Sequence, residues 1–293
     1  MEIRALTHDD VPAAMKLSRG AGWNQVPADW HRLLDLAPEG CFAGWVDGEL
    51  VATSTMVTYD GRIGWIGMVL VDDDHRRQGY GSRLFERARQ LAHEYGVLVC
   101  LDATDAGRAV YGPAGFVDVC PIERWCGVVE PDERAEQPVR TPDSNERSAV
   151  RALDRQACGL DRGDLLEHLL SAEEVTGLVL GEDSDPATGA GDLRGYAMVR
   201  PGREHAHVGP VITPTAEDAM VLLEAASEIA GESVIVDVLA TEWPDSFLED
   251  MGLERQRELT RMVDGEAMGD GKREGTDPLV GNWVVAATGF EFG

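Results

Sequence analysis

A chain of 293 residues with 53 acidic and 26 basic side chains carries a net charge of −27. That length suits two domains of about 150 residues, and 43% hydrophobic residues suffice for two cores. No run approaches the roughly 20 apolar residues of a membrane helix, Met1-Glu2-Ile3-Arg4 lacks a signal peptide's apolar region, and the negative field disfavours membrane surfaces and nucleic-acid backbones as partners.

In chain order, Ile3–Leu6 reads as a short strand, and Asp9 or Asp10 then caps a helix through about Ser18. Pro27 opens a second helix over Ala28–Leu36. Cys41–Val46 and Val51–Tyr59 flank Asp47-Gly48, a hairpin signal. Ile63–Val71 is apolar throughout and predicts a strand covered on both faces. From Ser82 to Tyr95, Leu84, Ala88, Leu91, Ala92 and Tyr95 fall at helical spacing. Val97–Leu101 reads as a further buried strand, Ala109–Ala114 as a short helix, and Val117–Val119 and Glu123–Val129 as two strands.

Residues 131–145 are polar and proline-bearing, the composition of a linker. Beyond them the order repeats. Strands are expected at Gly177–Leu180, Gly195–Val199 and His205–Ile212, then a helix over Ala216–Ile229 capped by Thr215. A strand at Val234–Val238, a short helix near Ser246–Met251 and a strand near Arg257–Val263 follow. The buried strands start at 97 and 234, and Gly115-Phe116 matches Gly252-Leu253; both offsets are 137. Equal offsets point to a tandem duplication. The run Asn282–Phe292 reads as a last strand, either completing the second half's sheet or reaching the first half.

Only Lys16 and Lys272 are lysines, so 24 of the 26 basic residues are arginines. At about 1 M salt the Debye length is roughly 3 Å, and self-repulsion nearly vanishes. The composition therefore predicts a protein adapted to a salty cytoplasm. Five scattered cysteines without a C-x-x-C pair predict neither a metal site nor a disulfide framework. A cytoplasmic, reduced protein is expected.

Chemistry concentrates after the apolar strand, in Asp72-Asp73-Asp74-His75-Arg76-Arg77-Gln78-Gly79-Tyr80-Gly81-Ser82. Gly79 and Gly81 let the backbone turn tightly against a ligand, and a helix start directs unpaired N–H groups and a positive dipole end at an anion. Arg76, Arg77, Arg83, Arg87 and Arg89 face one acid, Glu86, within a strongly acidic protein. The segment reads as a pyrophosphate cradle, or as turn chemistry before a solvated helix face. It is neither a P-loop nor Gly-x-Gly-x-x-Gly.

Arg76-x-x-Gly79-x-Gly81 after a strand, Leu101-Asp102-Ala103-Thr104, and Val110-Tyr111-Gly112-Pro113-Ala114-Gly115-Phe116 together resemble the GNAT superfamily of acetyl-CoA-dependent N-acetyltransferases. The resemblance covers residues 1–130 in motifs and 146–293 in element order alone, the pattern of a tandem subgroup with a divergent second domain. It implies an α/β (α+β) fold of two domains, 1–130 and 146–293. Each would be a mixed, mostly antiparallel sheet with helices on both faces and a splayed parallel strand pair. It implies acetyl-CoA as co-substrate, with pantetheine along the backbone of Val69, Leu70 and Val71 and the phosphates at Arg76, Arg77, Gln78, Gly79, Tyr80, Gly81 and Ser82. It also makes Tyr111 the general acid that protonates the leaving thiolate.

The general base stays unassigned, with Asp102 a candidate that equally caps a turn. Trp23, Asn24, Gln25 and Ser54 occupy positions suited to the acceptor, although Trp23 reads equally as a core aromatic. A small amine acceptor, no metal, and a monomer or homodimer complete the expectation. Another acyl-CoA, or a CoA-binding sensor without catalysis, remains the alternative. Within the second half, Val211–Asp218 lacks glycine and places Glu217 and Asp218 on the first helical turn, while the 137 offset sets Leu248 at the place of Tyr111. That half is expected to bind no acetyl-CoA.

Overall fold

The computed structural model describes residues 1–129, 139–181, 193–231, 233–239, 245–265 and 283–293. In the first half, β1 (Glu2–Ala5) leads through a helical turn into α1 (Val11–Gly20) and α2 (Pro27–Leu36). Asp10 stands at the N-cap position of α1, as expected, but its side chain makes no capping hydrogen bond to the helix. Its carboxylate accepts from Thr7 N at 2.9 Å and Thr7 Oγ1 at 2.7 Å, so it closes the turn before the helix. The hairpin β2 (Cys41–Val46) and β3 (Glu49–Tyr59) turns at Asp47 and Gly48, both at positive φ (50° and 86°), as a two-residue turn requires. β4 (Ile63–Val71) follows, then α3 (Tyr80–Tyr95), β5 (Leu98–Ala103) and α4 (Asp105–Tyr111). α4 starts four residues before the predicted position because Thr104 Oγ1 accepts from Gly107 N at 3.2 Å. Glycine inside so short a helix hides the pattern.

The two strands expected near 117–129 are one, β6 (Phe116–Gly127). It passes through Pro121, which lies opposite Thr260 on one side and one residue before the pairing on its other side begins at Ile122. Of the expected linker, residues 131–138 lie outside the described residues, and Val139–Arg140 form a short strand, β7. α5 (Arg147–Cys158) and α6 (Gly163–Ser171) occupy a stretch for which the sequence suggested no element. Then come β8 (Thr176–Gly181), β9 (Leu193–Arg200), β10 (Ala206–Ile212), α7 (Ala216–Ala230), β11 (Val234–Leu239), α8 (Asp245–Asp250) and β12 (Leu253–Asp264). The predicted strand over 282–292 shrinks to β13 (Val284–Ala286), with residue 282 outside the described set. After β13 the chain turns through Gly289 at φ 143°.

All thirteen strands among the described residues join one sheet, in the order β1-β2-β3-β4-β5-β12-β6-β11-β13-β10-β9-β8-β7. The two sequence halves exchange a strand. β12 pairs antiparallel with β5 and β6, and β6 pairs antiparallel with β11. Buried ion pairs cross the same seam: Arg261 with Asp102 (3.0 and 3.1 Å) and Arg124 with Asp237 (2.6 and 2.7 Å). Breaking a buried pair by removing one partner costs about 3–5 kcal/mol. Residues 1–135 alone would leave Asp102 without Arg261 and β5 without its neighbour.

Helices cover both faces. α1 and α2 pack on the face of Trp65, Met68 and Leu70, and α3 packs on that of Ile66, Leu101 and Met262. No helix among the described residues is long and apolar enough to cross a membrane. Because the charge of −27 sits on a fold this extended, the melting temperature should rise markedly from dilute buffer to about 1 M potassium chloride. Scanning calorimetry giving equal values at both salt levels would remove the halophilic reading.

Candidate active site

β4 and β5 run parallel and pair only at Ile63↔Leu98, Gly64↔Val99 and Trp65↔Cys100. Beyond those residues they part, and a cavity of about 650 Å³ opens between Gly67–Val71 on one side and Leu101–Thr104 on the other. The β3–β4 register supplies a reason. Thr53 faces Leu70 and Thr55 faces Gly67, so one residue of β3 opposes two of β4, a bulge at Met68 and Val69. Met68 lies at φ 50°, and Thr53 Oγ1 donates to its carbonyl at 2.8 Å, fixing the distortion. A bulge breaks the ladder locally and leaves β4 backbone groups facing the cavity.

At the end of β4, Asp72 accepts from Asp74 N and from the His75 ring (3.2 and 3.0 Å), and the His75 contact holds its carboxyl below the ordinary carboxylate range. Arg77 and Gly79 then take positive φ (59° and 77°), and α3 starts at Tyr80 with no side-chain cap. The first N–H groups of α3 therefore have no partner within the helix. A side chain at Gly79 would project into open space, whereas one at Gly81 would meet Val71 at 3.2 Å. The cavity reaches this turn. Val69, Leu70, Val71, Arg76, Arg77, Gly79, Tyr80, Gly81 and Ser82 all line it, and Gln78 does not.

Tyr111, at the end of α4, also lines the cavity. Its ring packs on Phe85 (centroids 4.7 Å) and Phe116 (6.2 Å), and burial pushes its hydroxyl up to about 12. Such a phenol stays protonated at neutral pH and can donate a proton. Asp102 lines the cavity too, but the Arg261 guanidinium occupies both of its oxygens. Burial raises its carboxyl and Arg261 opposes that rise. Because both oxygens of Asp102 already accept from one guanidinium, a further proton would have to displace a charged hydrogen bond, which counts against Asp102 as the base.

Of the predicted acceptor residues, Trp23 and Gln25 line the cavity, while Asn24 and Ser54 do not. Asn24 Nδ2 donates to His205 O (2.8 Å) and its Oδ1 accepts from Glu204 N and His205 N, so it ties the halves together. Ser54 is fully buried in β3, opposite Phe42 of the neighbouring β2. Sequence reasoning missed Arg257, Leu259, Phe290 and Glu291, which complete the wall. Strand exchange brings in the first two, and the chain after β13 delivers the others. That segment is anchored by Trp65 Nε1 donating to Phe290 O (3.1 Å), Tyr59 Oη donating to Phe292 O (2.7 Å) and Gln25 Nε2 donating to Glu291 Oε2 (3.0 Å). One sign was legible: Glu291 is the lone acid in the otherwise apolar and polar-neutral run Asn282–Phe292.

The second half has the equivalent parallel pair, β10 and β11, joined at Ala206↔Val234, His207↔Ile235 and Val208↔Val236. There the gap is filled. β13 lies between the strands, with Val211↔Ala286 and Val238↔Ala286. Thr215 caps α7 by accepting from Asp218 N (3.2 Å), Glu217 and Asp218 occupy its first turn, and Leu248 is buried. No group of three or more His, Cys, Asp or Glu suited to a metal occurs among the described residues.

A model of the acetyltransferase (GNAT) family matches residues 9–116, ending where the exchanged β6 begins, and an acetyltransferase (GNAT) domain model matches residues 150–274. YitH of Bacillus subtilis, an uncharacterized N-acetyltransferase, is 25% identical over 263 residues, spanning 88% of this chain and 89% of its own. The holothin acyltransferase of a Pseudoalteromonas species is 25% identical over 217 residues, 73% of this chain and 71% of its own. Among solved structures, a putative acetyltransferase from Pyrococcus horikoshii aligns over 100% of this chain and 95% of its own (TM-score 0.79, 18% identity). A tandem GNAT protein from the clavulanic acid biosynthesis pathway aligns over 89% and 97% (TM-score 0.64, 17% identity). With one GNAT match in each half and relatives similar along most of its length, the chain belongs to the GNAT acetyltransferases as a tandem member and is an acyltransferase.

Proposed function

We propose that the protein moves an acetyl group from acetyl-CoA to a primary amine by direct transfer, at the β4–β5 cavity alone. The observation that carries this reading is the meeting, in one cavity, of a bulged and unpaired β4 edge, an uncapped helix start behind Gly79, and a protonated tyrosine. The backbone of Val69–Val71 would hold the pantetheine amides. Arg76, Arg77 and the N–H groups of Tyr80, Gly81 and Ser82 would hold the pyrophosphate. A β4 amide on the edge that parts from β5, at Leu70 or Val71, would polarise the thioester carbonyl.

In the transfer, the amine nitrogen bonds to the acetyl carbon as the carbon–sulfur bond breaks. Tyr111 gives its proton to the departing thiolate, and the amine gives up one. Cavity water accepts that proton, since Arg261 holds Asp102, and Arg200 and Gln25 hold Glu291. Filling of the second gap by β13 supports one acetyl-CoA per chain, which calorimetric titration should return; a stoichiometry of two would overturn it. We further infer a cytoplasmic monomer or homodimer that acts on small molecules, not on nucleic acids or membranes. Thiol release from acetyl-CoA with a panel of amines in molar salt tests the activity. Release with none of them, from folded protein that retains CoA, would turn the reading towards a sensor, and mass spectrometry of the retained ligand would identify another acyl group.

A further inference from the structure

Around the cavity the buried arginines have carboxylate partners, whereas the half-buried Arg257 has none among the described residues. Arg124 holds Asp237, Arg261 holds Asp102, and Arg200 reaches Asp29 and Glu291, each at 3.3 Å. Arg257 lines the cavity, yet no carboxylate lies within ion-pair distance of it among the described residues, and its Nε is buried without a hydrogen-bond partner. Its guanidinium lies 5.4 Å from the centroid of the Phe290 ring, and that of Arg124, its cross-strand partner, lies 4.4 Å from it. Burial and the neighbouring Arg124 charge push its guanidinium down to about 10. An arginine left in that state lacks an anion.

The missing anion is not the pyrophosphate of the co-substrate. Arg257 touches Phe290, whose carbonyl is held by Trp65, on the α1–α2 face of the sheet. The Gly79 turn opens α3, which packs on the other face. A second unpartnered group lies on the Arg257 side. Gln25 donates through Nε2 to Glu291, which fixes the amide's orientation, and this leaves Gln25 Oε1 buried without a donor. One wall of the acceptor end thus offers an unmatched cation, and another offers an unmatched hydrogen-bond acceptor beside a carboxylate.

Building on the acetyltransferase reading above, we propose that the acceptor is an amino acid or a close derivative, whose carboxylate pairs with Arg257 while its amino group lies by Gln25 Oε1 and Glu291. Two of the three recognition groups come from the second sequence half, Arg257 from the exchanged β12 and Glu291 from the segment after β13, while Gln25 comes from the first. This gives the divergent half a task in choosing the acceptor.

The test uses the full chain at one fixed salt concentration. Each common L-amino acid is compared with the amine left by its decarboxylation, and phosphoethanolamine is added as a phosphate-bearing probe. Two readouts are taken: kcat/KM for thiol release, and calorimetric affinity for protein saturated with CoA, which does not depend on turnover. At least one amino acid should exceed its decarboxylated partner by about 10- to 100-fold in both, the scale of a charge-assisted bidentate contact. Arg257→Gln should collapse that ratio towards one, and Arg257→Lys should keep part of it, at unchanged melting temperature. Equal binding within every pair, or an Arg257→Gln variant that weakens both members alike, would overturn the proposal. So would a preference for phosphoethanolamine over every amino acid. Should thiol release fail while the calorimetric ratio holds, the transfer reading falls and the amino-acid site stands.

Discussion

The Gly79→Asp variant should lose measurable acetyl-CoA affinity, a weakening of about 100-fold or more, while the protein stays folded. Gly79 lies at φ 77°, a conformation that L side chains rarely adopt, and it forms the N-cap of α3 without any side-chain hydrogen bond. An aspartate there has open space before it, so the new carboxylate would not be expelled by packing. It would instead accept from the helix's first N–H groups, as acidic N-caps do, and so occupy the place proposed for the pyrophosphate. Its charge would add repulsion. Gly79→Ala separates the two causes, because it keeps the backbone strain and brings neither carboxylate nor charge. That variant should weaken binding by only about tenfold, a cost of the order of the αL penalty for a residue with a Cβ. Isothermal titration against acetyl-CoA, with circular dichroism to confirm folding, reads both. Unchanged affinity in folded Gly79→Asp would remove the turn from the proposed binding site.

That turn was legible because its signals are local. A glycine before an amphipathic helix, arginines concentrated in an acidic chain, and an apolar strand ahead of them all lie within thirty residues. β4 spans the predicted Ile63–Val71, and α3 begins two residues before the predicted Ser82. What escaped the sequence depends on distant pairing. Nothing in Arg257–Val263 says that the strand will lie beside β5 rather than beside β11, because both neighbours offer an apolar ladder. Asp102 looked like a candidate base for the same reason: its partner Arg261 is 159 residues away in sequence. Asn24 and Ser54 were placed near the acceptor by position in the chain, and neither lines the cavity: Asn24 bonds to His205, and Ser54 is buried within β3. The run 282–292 carried strand-like composition over eleven residues, and Gly289 cuts it to three paired ones.

Tyr111→Phe is expected to lower kcat by about two orders of magnitude, the scale of a lost general acid, and to leave acetyl-CoA affinity nearly unchanged. The substitution removes one oxygen and keeps the ring, whose contacts with Phe85 and Phe116 hold the end of α4 in place. Folding should therefore be undisturbed, and the effect can be read as chemistry. The same burial that pushes the hydroxyl up to about 12 sets the pH signature. A group with its pKa raised in the folded protein stays protonated throughout the assay range, so the parent's rate should not fall through loss of this proton below about pH 10. Any loss at lower pH then belongs to another group. In the variant, solvent must protonate the thiolate, and acetyl-CoA analogues with a more acidic leaving thiol should recover much of the rate. Oxoester or amide analogues should recover none. If Tyr111→Phe turns over at the parent's rate, with single-turnover measurements showing that chemistry limits both, Tyr111 is a packing residue at the edge of the Phe85–Phe116 cluster and the proton comes from elsewhere.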